Sequence, residues 1–326
     1  MVKPTAQRIG PFPLGMDNRA QDFGLALPQG AGHLLRDALN VDVTPQGSVK
    51  TRAGQTLARA GVDCHSMWAP VGGAYGLYCD TGTVYRMDVD ASGAVTRTEV
   101  AAGFGHTTPI RYAQVNEAVY FTDGLRAGSY HPRPGPTPAW ADAVGGTVGE
   151  RVLAPMPPGS CIAYGAGRLL VAVGALLTYS EPFTPSLRSV SAGYELLPEP
   201  ITCVVHVDGG TFVATASATY FAAGGFPAQS FREVLAYGAP EQQPGYRQDG
   251  GAHWMSTKGI VSCNRLGELS NLQDEHIAMS VSGAAATLWR EADGMTSIVA
   301  ALSSPSSTGA GVGSYMQARL VKKETP

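Results

Sequence analysis

A chain of 326 residues, 44% of them hydrophobic, can bury a sizeable core, while a formal net charge of -3 with only 15% charged residues gives no field for attracting nucleic acid or an acidic membrane surface. The 41 glycines and 23 prolines are scattered along the chain, which excludes a fold dominated by long helices and suits tight turns between short strands. Five cysteines, at positions 64, 79, 161, 203 and 263, never form C-x-x-C, so they read as reduced, mostly buried thiols and not as a zinc knuckle or a disulfide framework.

The opening MVKPTAQRIGPFPLGM lacks the apolar core of a signal peptide, and no run approaches the roughly 18 apolar residues of a membrane span. Synthesis and assembly in a cytoplasm, without membrane insertion, is the expectation. Residues 1–31 carry Pro4, Pro11, Pro13 and Pro28, a composition that favours an extended arm lying on a partner surface. Residues 32–60 read as a brace. Leu34 to Asn40 predicts one helical turn with Leu34, Leu35, Ala38 and Leu39 as contacts, followed by a hairpin: Val41 and Val43 alternate with polar neighbours, Pro45-Gln46-Gly47 supplies the turn, and Val49 to Arg52 returns. Arg36, Lys50, Arg52 and Arg59 make the brace locally basic while Asp37 and Asp42 balance it, which fits either pairing on a solvated face or an interface with a neighbouring subunit.

From Cys64 onward a pattern recurs. Five segments, beginning near Ser66, Ile110, Cys161, Thr202 and Ala252, each read as strand, small-residue turn, apolar strand, turn, third strand; their starts are 44, 51, 41 and 50 residues apart. The turns fall at Gly72-Gly73, Asn116-Glu117, Gly165-Ala166-Gly167, Asp208-Gly209-Gly210 and Lys258-Gly259, and Tyr85, Tyr130, Tyr179 and Tyr220 recur in the third strand, with Leu269 near that register in the fifth. This spacing predicts an all-β chain, a β-propeller of about five blades over residues 61–302; a β-sandwich is the alternative. His131 to Pro158 and Gly238 to Gly251 read as loops carrying contacts, with Trp140 as an exposed recognition residue. Residues 303–326 read as a linker, SSPSSTGAGVGS, and a closing C-terminal strand within Tyr315 to Lys323.

Chemical sites are sparse. Asp88, Asp90, Ser92, Gly93 and Glu99 have the spacing of an EF-hand calcium loop, but their flanks are β-like, so a β-turn is expected there. Histidines 33, 65, 106, 131, 206, 253 and 276 show no local pair for zinc. No G-x-S-x-G elbow or P-loop occurs, and a glycosidase acid pair would have to be assembled from different blades. No catalytic residue, metal site or cofactor is therefore assigned, and the chain is read as a non-enzyme.

Gly15-Met-Asp-Asn-Arg19, Leu34-Leu-Arg-Asp-Ala-Leu-Asn-Val-Asp-Val43 and Gly47-Ser-Val-Lys-Thr-Arg-Ala-Gly54 together resemble the opening of tailed-bacteriophage virion proteins that carry a β-propeller in the tail. Gly167-Arg-Leu-Leu-Val-Ala172 and Leu177-Thr-Tyr-Ser-Glu-Pro182 look like a blade of the same proteins. The resemblance implies a structural virion component of the nozzle or baseplate, in several copies around the tail axis. Its arm would dock on other tail proteins, with Arg19, Leu34, Leu35, Arg36, Asp37, Asn40, Asp42, Arg52 and Trp140 as candidate contacts. A distal adhesin contacting a host-surface receptor, and a propeller glycan hydrolase, are the alternatives.

Overall fold

A computed structural model describes residues 33, 35, 41–43, 48–51, 57, 59–73, 75–133, 140, 143–228, 230–272, 281, 283–292, 295–302 and 314–319. The arm over 1–31, the predicted helical turn apart from Leu35, which takes a β-bridge conformation, and the linker over 303–313 lie outside the described residues, as do Arg19, Leu34, Arg36, Asp37, Asn40 and Arg52. The described chain is all-β, with antiparallel sheets and no helix. The brace hairpin is formed, Val41–Val43 pairing with Val49–Thr51 in a register that sets Asp42 opposite Lys50. Leu35 is half-buried.

Each of the five repeated segments folds into its own small meander. The first sheet holds His65–Trp68, Tyr75–Asp80, Thr83–Val89 and Val95–Ala102; the second Arg111–Val115, Ala118–Thr122 and Ala127–Tyr130. The third holds Cys161–Gly165, Arg168–Val173, Leu176–Tyr179 and Tyr194–Leu196, and the fourth Cys203–Val207, Gly210–Ala214, Thr219–Ala223 and Arg232–Leu235. The fifth is Gly245–Tyr246, Ala252–Ser256, Gly259–Cys263 and Leu269–Asn271. A sixth sheet, which the repeat reading did not assign, joins Ala285–Ala292, Met295–Leu302 and Ser314–Arg319 to the short strand Gln242–Gln243, the last pairing in parallel with Ala285-Ala286. The C-terminal strand expected from the sequence is thus the edge of this sheet.

Alternation along single strands explains why the sheets stack. In Arg168–Val173, Leu170 and Ala172 pack with Val204 and Val213 of the fourth sheet, whereas Leu169 and Val171 pack with Ala113, Val115 and Tyr120 of the second. In the fourth sheet Val204 faces back to the third while Cys203, Val205 and Phe212 face Trp254 and Val261 of the fifth. Met255 and Ile260 then meet Ile298 and Ala300 of the sixth, and Leu77 and Cys79 of the first meet Tyr112 and Phe121 of the second. A strand covered on both faces is apolar along most of its length, and each such Leu, Ile or Val contributes about 1.5–3 kcal/mol by leaving water. Four of the five cysteines are buried free thiols within these layers and Cys64 is exposed.

The stack curves back on itself. Gln242 sits under the fifth sheet, its amide accepting from Met255 N at 2.7 Å and donating to Met255 O at 2.5 Å. Gln243 reaches the second sheet in the same manner, accepting from Tyr112 N at 2.8 Å and donating to Tyr112 O at 3.0 Å. Two adjacent side-chain amides therefore act as strand surrogates, closing inner edges that belong to sheets far apart in the chain.

Two loop assignments change. The stretch from His131 to Pro158 carries strands Gly146–Val148 and Arg151–Pro155, which join Leu187–Ser189 in a small accessory sheet; Gly146 and Pro155 stand at the ends of their strands, where they interrupt the ladder least. Gly238 to Gly251 contributes the short strands Gln242–Gln243 and Gly245–Tyr246. The calcium-like spacing resolves as a hairpin turn, in which Asp90 Oδ1 accepts from Ser92 N, Ser92 Oγ and Ala94 N between two strands, and Asp88 binds Arg86.

Candidate binding cleft

Between the second and third sheets opens a cavity of about 470 Å³ lined by Val115, Asn116, Glu117, Ala118, Tyr120, His131, Tyr164, Phe183 and Pro185. Its near wall is the hairpin turn Asn116-Glu117. Asn116 takes φ 56°, the left-handed conformation that a two-residue hairpin requires and that Asn tolerates. Gln114 fixes the turn by donating to Asn116 O at 2.9 Å, while accepting from Val71 N of the first sheet at 3.2 Å. Glu117 is held as an ion-paired carboxylate by Arg133, with His131 Nε2 at 3.8 Å on its other side.

The far wall comes from the third sheet and its outgoing loop. Phe183 is 84% exposed at φ 55°, a conformation that a bulky aromatic residue adopts at a cost of about 1–3 kcal/mol. It is held there by its own amide, which donates to Gly167 O at 2.7 Å, and by the turn bonds Glu181 N to Leu187 O at 2.8 Å and Thr184 N to Glu181 O at 3.1 Å. The ring lies over Gly167, where an added Cβ would come within 3.1 Å of it and where φ is +72°, in the same left-handed region. Glu181 itself turns to Arg151, at 3.3 Å.

Beneath the cleft, Tyr120 is 4% exposed and tilts against Trp140 with ring centroids 5.8 Å apart. Trp140 corrects the expectation of an exposed recognition residue. It is 2% exposed, packed with Met156 and Ile162, and its indole N–H donates to Met156 O at 3.0 Å. An indole with a satisfied donor is more stable in a core than in water, so Trp140 supports the cleft floor through Tyr120 and makes no surface contact. Asp42 is far from this chemistry in the chain and is placed only by its hairpin register.

Chemically, the lining combines an outward-facing aromatic ring with an amide, an imidazole, phenols and one carboxylate, Glu117. Two carboxylates flanking a bond, as glycoside hydrolysis uses, do not line it. Among the described residues no three His, Cys, Asp or Glu side chains gather as metal ligands. His206 and His253 are neutral packing groups instead, burial holding each near pKa 4. From the sequence, Asn116-Glu117 reads only as a turn. Phe183 and Tyr164 escaped that reading.

No family model matches the chain, and no curated protein matches it. Among solved structures it is similar to Kluyveromyces lactis Hsv2, at 11% identity and TM-score 0.43 over 78% of this chain and 81% of that one. It is likewise similar to KlHsv2 with loop 6CD replaced by a Gly-Ser linker, at 10% identity and TM-score 0.43 over 78% and 79%.

Proposed function

We propose that this chain is a structural component of a bacteriophage tail, a rigid platform docked through its N-terminal segment onto neighbouring tail proteins and repeated around the tail axis. The six stacked sheets are read as the blades of a β-propeller, with Ser314–Arg319 as the closing strand. The observation that carries the reading is the brace hairpin. It folds within the stretch that resembles phage tail proteins, yet its strands are three residues each and Val49 stays 40% exposed. A two-stranded ribbon of that length is marginal by itself, and in this reading docking on a neighbouring tail protein completes it. The glutamine bonds to Tyr112 and Met255 support the platform role, because they tie distant sheets and limit relative motion. Electron microscopy of particles labelled on this chain tests the proposal: label at the tail supports it, and unlabelled tails with label only in the soluble fraction overturn it.

A second reading, contact with the host surface, is favoured by one feature, the cleft that presents Phe183 to solvent. In that reading the same platform sits distally and the cleft faces outward.

A further inference from the structure

We infer that the cleft between the second and third sheets is a saccharide-binding site, in which Phe183 stacks on a pyranose face while Glu117, Asn116 and Tyr164 hydrogen-bond its hydroxyls. The inference deepens the host-contact reading and is separate from the assembly proposal, since a sugar site and tail incorporation are measured independently.

Three observations converge on a sugar. Phe183 is among the most exposed large apolar side chains of the described residues, and its left-handed backbone is held open by the bond to Gly167 O and by the Glu181–Thr184 bridge. Strain of this kind persists where the surroundings impose it, and here it turns an aromatic plane outward and not into the core. Glu117 also lines the cleft, its carboxylate paired with Arg133 and flanked by His131. A carboxylate oriented in this way accepts hydrogen bonds from vicinal hydroxyls, and its charge is already balanced, so a neutral ligand does not leave it unpaired. The remaining lining alternates apolar and polar groups at close range, with Val115, Ala118 and Pro185 beside Asn116 and Tyr164. That mixture matches the apolar faces and polar edges of a sugar ring, whereas a purely apolar ligand would strand the amide and the carboxylate. At about 470 Å³ the cleft accommodates a short oligosaccharide.

The test uses the full chain on an array of bacterial surface oligosaccharides, with calorimetry on any binder and, in parallel, a synthetic peptide of residues 4–19 as a proline-rich competitor. The expected result is binding of at least one oligosaccharide, weakened about tenfold or more by Phe183→Ala and by Glu117→Gln, and retained by Phe183→Tyr. Thermal unfolding of each variant, expected to match the wild type because Phe183 is a surface residue, keeps a folding defect apart from a binding defect. No oligosaccharide bound, or affinity unchanged by Phe183→Ala, overturns the inference. Phe183-dependent binding of the peptide alone also overturns it, reassigning the cleft to the arm of a neighbouring copy.

Discussion

Gln243 pairs with Tyr112 as one β-strand pairs with another: its Oε1 accepts from the Tyr112 amide at 2.8 Å and its Nε2 donates to the Tyr112 carbonyl at 3.0 Å, although 131 residues separate them. Replacing Gln243 with Ala leaves both backbone groups of Tyr112 without that partner at the inner edge of the second sheet. The expected loss is about 2–4 kcal/mol, seen as a lower urea midpoint with little change in slope. A midpoint equal to the wild type would mean that the inner edge closes without this bond.

Gly165 and His206 are a second pair set by close approach. A Cβ on Gly165 would stand 1.9 Å from the imidazole, so the inner strands of the third and fourth sheets meet only because this position has no side chain. Gly165→Ala should cost about 1–3 kcal/mol through overpacking. Adding His206→Ala should recover part of that loss, giving a coupling of about 0.5 kcal/mol or more in a double-mutant cycle. Additive losses would contradict the contact.

His253 predicts an acid limb. It is fully buried between the fifth and sixth sheets, neither ring nitrogen has a hydrogen-bond partner, and burial first, then nearby Arg247, holds its pKa near 4 against an ordinary 6.5. Above pH 6.5 both folded and unfolded chains carry it neutral. Between 6.5 and 4 the unfolded chain takes up the proton first, so stability falls as pH falls, by on the order of 3 kcal/mol at completion, and this contribution then levels off. His206, lowered likewise by burial and partly restored by Asp208, adds to the same limb. His253→Leu should therefore flatten the decline between pH 6.5 and 4 while changing stability at pH 7.5 by only about 1 kcal/mol, as followed by urea unfolding across pH. An unchanged pH profile would show that His253 is not the titrating group.

Much of the fold was legible because of where the strands lie. Leu169 to Ala172 form a continuous apolar run since neighbouring sheets cover both faces, and such runs, each after a small-residue turn, mark the five repeats directly. Tyr85, Tyr130, Tyr179 and Tyr220 all fall in the third strand of their sheets, while Leu269 opens the strand following Gly259–Cys263, the fourth of its sheet. The sixth sheet was missed because Arg290 and Glu291 break the apolar run of its first long strand, although Asp293-Gly294 is a strong hairpin signal. Gln242-Gln243 looks like polar loop sequence, and nothing local shows that its amides bind backbone in two other sheets. The cleft was illegible for a related reason. Its residues come from four separate stretches, and the exposure of Phe183 is set by a turn conformation that an aromatic residue does not announce. Trp140 failed in the opposite sense: a Pro-rich neighbourhood suggested a surface loop, and the indole found a carbonyl partner in the core.

The tail-platform account turns on whether residues 1–54 attach the stacked sheets to a particle. The direct measurement is quantitative mass spectrometry of purified virions assembled with either the full chain or a chain lacking residues 1–54, alongside thermal unfolding of both soluble proteins. The account predicts that the truncated chain keeps a cooperative unfolding transition and is lost from the particles. Truncated protein present in virions at the full-length copy number would contradict it.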